Sequence, residues 1–244
     1  MSILKKIFNK KSYNIKGCNN RIIIVEENGK EKELKPNKRI PGLEIEIYGS
    51  NNIIRIHKPF LTNGSVIKIG NYPEIHNDGS YIELNSTTSF INNKIFAFYG
   101  KNQRLFIGKN TTMHDCNIML VEDSDVYIGE DCMFAGFTTI RGADGHAVFD
   151  LATQEIQNVR TSQLQIKNHC WIGESCTILK NAIIPENSIV GAKSLVTRVF
   201  QQGGRGLLIA GVPASIKKTG ISWSRKAPSY FIENKINPLE EISC

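Results

Sequence analysis

The chain has 244 residues, 41% of them hydrophobic and 22% charged, with a formal net charge of +7. That balance fits one elongated domain with a continuous core, and no apolar run approaches the roughly 18 residues of a membrane span. The six cysteines include no CxxC pair, which argues against a zinc-thiolate site and, with their placement, against a disulfide framework.

Residues 1–40 carry 11 Lys/Arg against 4 Glu, a balance equal to the excess of the whole chain. Lys5, Lys6, Lys10, Lys11 and Lys16 are interleaved with Ile3, Leu4, Ile7 and Phe8. Such a segment can make peripheral contact with an anionic membrane or an acidic glycan, although basic runs more often form a solvated terminus. No fold motif or aromatic platform points to nucleic acid. No charged-then-apolar leader with a small-residue cleavage site opens the sequence, so a cytoplasmic protein is expected.

From residue 41 short alternating segments follow: Ile45–Ile47, Ile53–Ile56, Val66–Ile69 and Tyr81–Leu84, with Asn/Gly turns such as Gly49–Asn52. Further on, an apolar residue returns every sixth position. Ile107, Met113 and Met119 form one run; Ile128, Phe134 and Ile140 form a second. Ile166, Ile172, Ile178, Ile184, Val190 and Val196 form a third, with Cys170, Cys176, Ala182, Ser188 and Ser194 two positions before the later returns. Neither a helix nor an ordinary strand has this period. It fits an all-β parallel β-helix whose short rungs turn three corners per coil, with aliphatic residues stacked inside and small ones at the corners. The domain is expected over 41–220, after a basic segment 1–40 and before a C-terminal tail 221–244.

The step from Ile140 to Ile166 is not a multiple of six, so a loop over roughly Ala143–Gln163 leaves the coil there. His146 stands at its start, in Gly142-Ala143-Asp144-Gly145-His146. Two glycines permit a tight turn, and an imidazole titrates near neutral pH, as a general base requires. Asp144 or Asp150 is placed to hold its tautomer. After the loop, Trp171 follows small Cys170 and is too large for the interior, so it is expected to project outward near the loop. No two histidines have the five-residue spacing of the zinc hydratases built on a β-helix, and no metal site is expected.

The stretch D-G-H-A-V-F-D, then H-C-W-I-G-E-S-C-T-I-L-K-N-A-I-I-P-E-N-S-I-V-G-A-K-S-L-V-T-R, then A-G-V-P-A-S-I-K-K resembles the hexapeptide-repeat acyltransferases. Within them it is most similar to the capsule- and lipopolysaccharide-modifying sugar O-acetyltransferases. The resemblance covers roughly residues 105–220. It implies a left-handed β-helix, acetyl-CoA as donor, a carbohydrate acceptor, a homotrimer, and an active site between subunits. It further implies His146 as catalytic base and Trp171 beside the thioester. Gly173, Ala192, Thr197 and Arg198 match positions that line the pantetheine arm and the CoA phosphates; Lys217 and Lys218 close the last coil near the nucleotide end. Three positions depart from the usual pattern. Gly142 and Ala143 stand where Ser or Thr is common, Ser215 replaces a basic residue, and Arg198 replaces Lys. The alternatives on the same scaffold are N-acetylation of a nucleotide-linked amino sugar and a non-catalytic assembly solenoid.

Overall fold

The computed structural model describes residues 13–71, 75–200 and 204–239. Three eight-stranded sheets form the three walls of a prism, and each takes every third strand of the chain apart from an added edge strand, Glu31–Glu33, on one and a C-terminal hairpin on another. Sheet A includes Asn14–Lys16, Leu43–Tyr48, Lys94–Phe98, Thr139–Arg141 and Leu195–Val196. Sheet B includes Arg21–Val25, Tyr81–Leu84, Asp125–Ile128 and Leu164–Ile166. Sheet C includes Thr112–His114, Met133–Phe134, Trp171–Ile172 and Ile189–Val190. One strand from each wall makes one coil. Nearly all neighbours pair in parallel, with Ile166 over Ile184, Ile172 over Val190 and Ile178 over Val196, three hexads apart.

The hexad residues are the core. Ile128, Ile140, Ile166, Ile172, Ile178, Ile184, Val190 and Val196 are fully buried, stacked coil upon coil. Each side chain of this kind withdrawn from water contributes about 1.5–3 kcal/mol. The small positions do more than leave room. Cys170 Sγ donates to Pro185 O at 3.1 Å, Cys176 Sγ to Gly191 O at 3.1 Å, and Ser194 Oγ to Gly191 O at 2.6 Å. Cys, Ser and Thr there supply a donor to a corner carbonyl that would otherwise be buried without a partner. Sharp corners need a left-handed residue, and Asn110, Asp131, His169 and Asn187 take φ of 53–60° at successive corners between sheets B and C. Asn and Asp tolerate that region best, which accounts for much of the asparagine in this chain.

Two expectations need correction. The solenoid does not begin at residue 41: Asn14–Lys16 pairs in parallel with Glu46–Tyr48, and Arg21–Val25 with Ile53–His57, so the basic segment contributes the first coil. Lys16 lies in that coil, whereas Lys5, Lys6, Lys10 and Lys11 fall outside the described residues. Met119 is not a core position. The turn after Met113 is one residue short, so Ile118 and Leu120 point inward and Met119 outward. At the C-terminal end Leu208–Gly211 and Ala214–Lys218 form an antiparallel hairpin at the edge of sheet C. The helix Pro228–Asn234 follows.

Candidate active site

Residues 142–163 leave the coil at the corner between sheets A and B, after Thr139–Arg141 and before Leu164–Ile166. The excursion has one isolated antiparallel bridge of its own, Phe149 to Ile156. It departs through Gly142, which packs so closely on Ser124 that a Cβ would lie 2.6 Å from that side chain. Gly145 then turns with φ +80°, where its own Cβ would press on Val121.

Polar contacts hold the base of the excursion. Arg141 donates to Ala143 O at 3.0 Å and to Asp144 O at 2.8 Å, and Gly145 N donates to Glu122 at 2.9 Å. The Lys180 ammonium binds both the Asp144 carboxylate and Asn158 O. Asn158 Nδ2 donates to Asp144 Oδ2 at 2.7 Å and to His146 O at 2.8 Å, tying the outgoing strand to the returning one. On the return, Asn181 Oδ1 accepts from Thr161 N and Ser162 N.

His146 sits on this base with an exposed ring that makes no hydrogen bond, ion pair or ring contact among the described residues. Neither carboxylate expected to hold its tautomer does so. Asp144 is committed to Lys180 and Asn158, and Asp150 Oδ1 caps its own turn by accepting from Ala152 N and Thr153 N, both at 2.8 Å. Partial burial works to raise the Asp144 carboxyl, but the hydrogen bonds from Lys180 and Asn158 and the charges of Lys180 and Arg141 outweigh it and hold it below its ordinary value.

Trp171 is on the outer face of sheet C, 38% exposed, between Met133 and Ile189. The other expected residues fall into two groups. Gly173 and Ala192 meet at the corner between sheets C and A, where a Cβ on Gly173 would lie 2.6 Å from Ala192 N. Gly191 against Ala210 and Gly211 beside Lys217 continue this strip of small residues toward the C-terminal hairpin, which also carries exposed Lys218. Thr197 and Arg198 are exposed at the corner between A and B, one coil beyond Lys180, with the guanidinium over the Phe200 ring at 5.1 Å. One corner thus presents His146, Asp144, Thr197 and Arg198; sheet C and its far corner present Trp171, Gly173, Ala192, Lys217 and Lys218.

The sequence reading passed over the surroundings of Trp171. The Trp223 indole lies 6.2 Å from the Trp171 ring and stacks on His169 at 4.5 Å. It also missed the loop anchors Lys180 and Asn158. The one available signal for Lys180 was a lone cation at the corner next to the loop.

The buried thiols make poor nucleophiles. Burial pushes Cys116 to about 12 and Cys170 well above its ordinary value. Among the described residues no three His, Cys, Asp or Glu side chains gather as a metal site. No described helix is long and apolar enough to cross a membrane.

A solenoid of stacked hexads defines a class, and known proteins share that fold. The chain is 33% identical over 146 residues to the polysialic acid O-acetyltransferase of Neisseria meningitidis, covering 54% of this chain and 67% of that protein. It is 27% identical over 134 residues to the polysialic acid O-acetyltransferase of Escherichia coli O1:K1, covering 55% of this chain but 42% of that relative. Among solved structures, the polysialic-acid-specific acetyltransferase NeuO matches with a TM-score of 0.74 at 21% identity, over 95% of this chain and 96% of the other. The polysialic acid O-acetyltransferase OatWY matches with a TM-score of 0.72 at 25% identity, over 93% and 98%. No family model matches the chain. The chain belongs to the hexapeptide-repeat acyltransferases.

Proposed function

We propose that the protein is a cytoplasmic, acetyl-CoA-dependent O-acetyltransferase that acts on a sugar hydroxyl of a bacterial surface glycan by direct transfer. His146 is the general base. Its ring takes the proton as the hydroxyl oxygen attacks the thioester carbonyl, the carbon–sulfur bond breaks, and the imidazolium returns the proton to the departing thiolate. The products are the acetyl ester and free CoA. The Trp171 indole N–H, or a backbone N–H of the loop, supplies a donor to the developing oxyanion. Direct transfer is favoured over a covalent intermediate because Cys132, Cys170 and Cys176, the thiols of the coils that carry the site, are all buried.

The backbone strip at Gly173, Ala192 and Gly191 suits a narrow pantetheine arm, because it carries no side chain larger than a methyl group and a Cβ at Gly173 or Gly191 would press on the next coil. Thr197, Arg198, Lys217 and Lys218 supply exposed hydroxyl and cationic groups for the CoA phosphates. Asp144 serves by fixing the loop through Lys180 rather than by touching His146.

One observation carries this reading furthest: the expected site residues divide between two faces of one solenoid. A site shared by two copies of a homotrimer of left-handed β-helices brings the loop corner of one subunit to sheet C of the next, as cyclic symmetry demands of heterologous contacts. The loop tip agrees, exposing Val148, Phe149, Leu151, Ile156 and Val159, which have no core of their own to enter.

The test is acetyl transfer from acetyl-CoA to a panel of bacterial glycans and nucleotide-linked amino sugars, with the acetylated atom located by NMR. His146→Ala is expected to lower turnover by about 10²–10⁴. Mixing His146→Ala with Trp171→Ala subunits restores part of that activity in assembled mixtures. Turnover of His146→Ala within a few-fold of wild type removes the base assignment. No recovery on mixing places the whole site within one chain. An acetyl amide as the product establishes the N-acetyltransferase alternative.

A further inference from the structure

The segment around Trp223 lies outside the hexad pattern, yet three of its groups are bound tightly to the coil. Trp223 is 5% exposed, with its indole flat against the His169 ring, 13° from parallel. The two residues exchange hydrogen bonds: Trp223 Nε1 donates to His169 O at 2.8 Å, and His169 Nε2 meets Trp223 O at 3.0 Å. His169 Nδ1 in turn meets Asp131 Oδ2 at 2.6 Å. Arg225 closes the arrangement. Its guanidinium reaches Asp131 Oδ1 twice at 3.1 Å, Thr112 Oγ1 at 2.9 Å, and the carbonyls of Asn110 and Cys132 at 3.0 Å each, while lying 5.5 Å over the Trp223 ring.

An arginine loses about 2 kcal/mol of rotamer freedom when fixed, and a segment that merely passed over the coil would not need five such bonds to neighbouring coils. The anchors converge on one corner because Asn110, Asp131 and His169 are its successive left-handed residues, whose carbonyls and side chains turn outward together. Next along the chain from His169 on sheet C stands Trp171, with its ring tilted 46° to that of Trp223.

We propose that residues 223–225 are a positioning strap for Trp171, a role that rests on the placement of Trp171 at the donor site. Trp223 walls off the flank of the Trp171 indole toward the corner between sheets B and C. Arg225 and Asp131 lock that wall in place. The indole is thereby left one side on which to meet the acetyl donor, with its tilt fixed before the donor arrives.

The chain contains only two tryptophans, so their coupling is a direct readout. Two indoles held this close at a fixed angle produce a coupled near-ultraviolet circular dichroism band. Arg225→Met and Asp131→Asn retain both tryptophans. Each is expected to lose most of that band and to lower kcat by about 5–20-fold, while the KM for the glycan and the β-sheet signal stay unchanged. Trp223→Phe keeps a ring on His169 and is expected to fall between these variants and wild type in kcat. A retained band in both Arg225→Met and Asp131→Asn overturns the strap. Loss of the band with unchanged kcat also overturns it, by reducing the contact to a structural one. If Trp171→Phe turns over normally while Arg225→Met does not, positioning of Trp171 is refuted and acetyl transfer stands. If wild type transfers no acetyl group, the functional reading fails, while the band alone still shows whether the strap orients the indole.

Discussion

Lys180→Met probes how the extruded loop is held. Methionine keeps the length and apolar body of the side chain and removes the ammonium. Two contacts go with it, one to the Asp144 carboxylate and one to Asn158 O. The Lys180 side chain is 15% exposed and that of Asp144 38%, so solvent screens the ion pair and its contribution stays at the usual 0.2–1 kcal/mol, roughly. The charged hydrogen bond to the carbonyl adds about 1 kcal/mol. Together about 1–2 kcal/mol is lost, all of it at the base of the loop, while the stacked core is untouched. Spread over global unfolding that loss would move the melting temperature by about 2–8 °C, but the loop is a local unit that opens before the coil, so a shift of less than about 4 °C is expected. Turnover falls further, by about 10-fold, because His146 is two residues from Asp144 and an ångström of misplacement is costly in a reacting geometry. The assay pairs thermal unfolding with kcat and the KM for acetyl-CoA. A variant with kcat within twofold of wild type would show that Lys180 does not place His146. A loss of kcat that merely follows a large fall in folded protein would refute the local argument as well.

Gly173→Ala sets a Cβ within 2.6 Å of Ala192 N and 2.8 Å of Val190 O, so backbone must move; a loss of about 1–3 kcal/mol and a raised KM for acetyl-CoA are expected, and calorimetry with initial-rate kinetics checks both. Cys170→Ser keeps a donor toward Pro185 O and is expected to fold and to transfer acetyl groups, whereas Cys170→Ala leaves that carbonyl unmet and melts lower. A covalently acetylated cysteine found by mass spectrometry without acceptor would refute direct transfer. The Asp144 carboxyl is held lower in the folded protein than in the unfolded chain, so its contribution is complete above about pH 4 and lost as pH falls through the lower folded value. Limited proteolysis is thus expected to cut within 142–163 as the pH falls below about 4, before the coil melts, and a loop that resists cutting to the point of global unfolding would contradict this.

The hexad count is readable in the sequence because each inward position faces the same position one coil away, and only an aliphatic residue of constant size stacks there. Counting fails where the coil changes length. Between Met113 and Ile118 the turn through Asp115 is one residue short, and a strict count of six then assigns Met119 to an interior that Ile118 and Leu120 fill. The first coil is hidden for a different reason. Asn14–Lys16 and Arg21–Val25 lie among exposed lysines and arginines, so a tally of charge reads as a solvated tail a stretch in which Ile22, Ile23, Ile24 and Val25 form a continuous buried run. Net charge reports on the surface of a coil and not on what its interior holds.

The loop is legible because it breaks the count, and His146 because a tight glycine turn delivers it; the partners of both are not, because they lie far along the chain. Lys180 is 36 residues from Asp144, and Trp223 is 54 from His169. In a solenoid, residues distant in sequence by whole coils stand next to each other at the same corner, and no local pattern announces which pairs will meet. The same geometry explains why Asp144, expected to hold the histidine, holds the loop instead. Its carboxylate faces the corner column, where a cation one coil on can reach it, while the ring two residues later points away from the coil. A ring so exposed gains nothing within its own chain from the bonds that fix its backbone. On the proposed function, those bonds hold the imidazole ready to meet groups supplied from outside, a substrate and the sheet C of another copy.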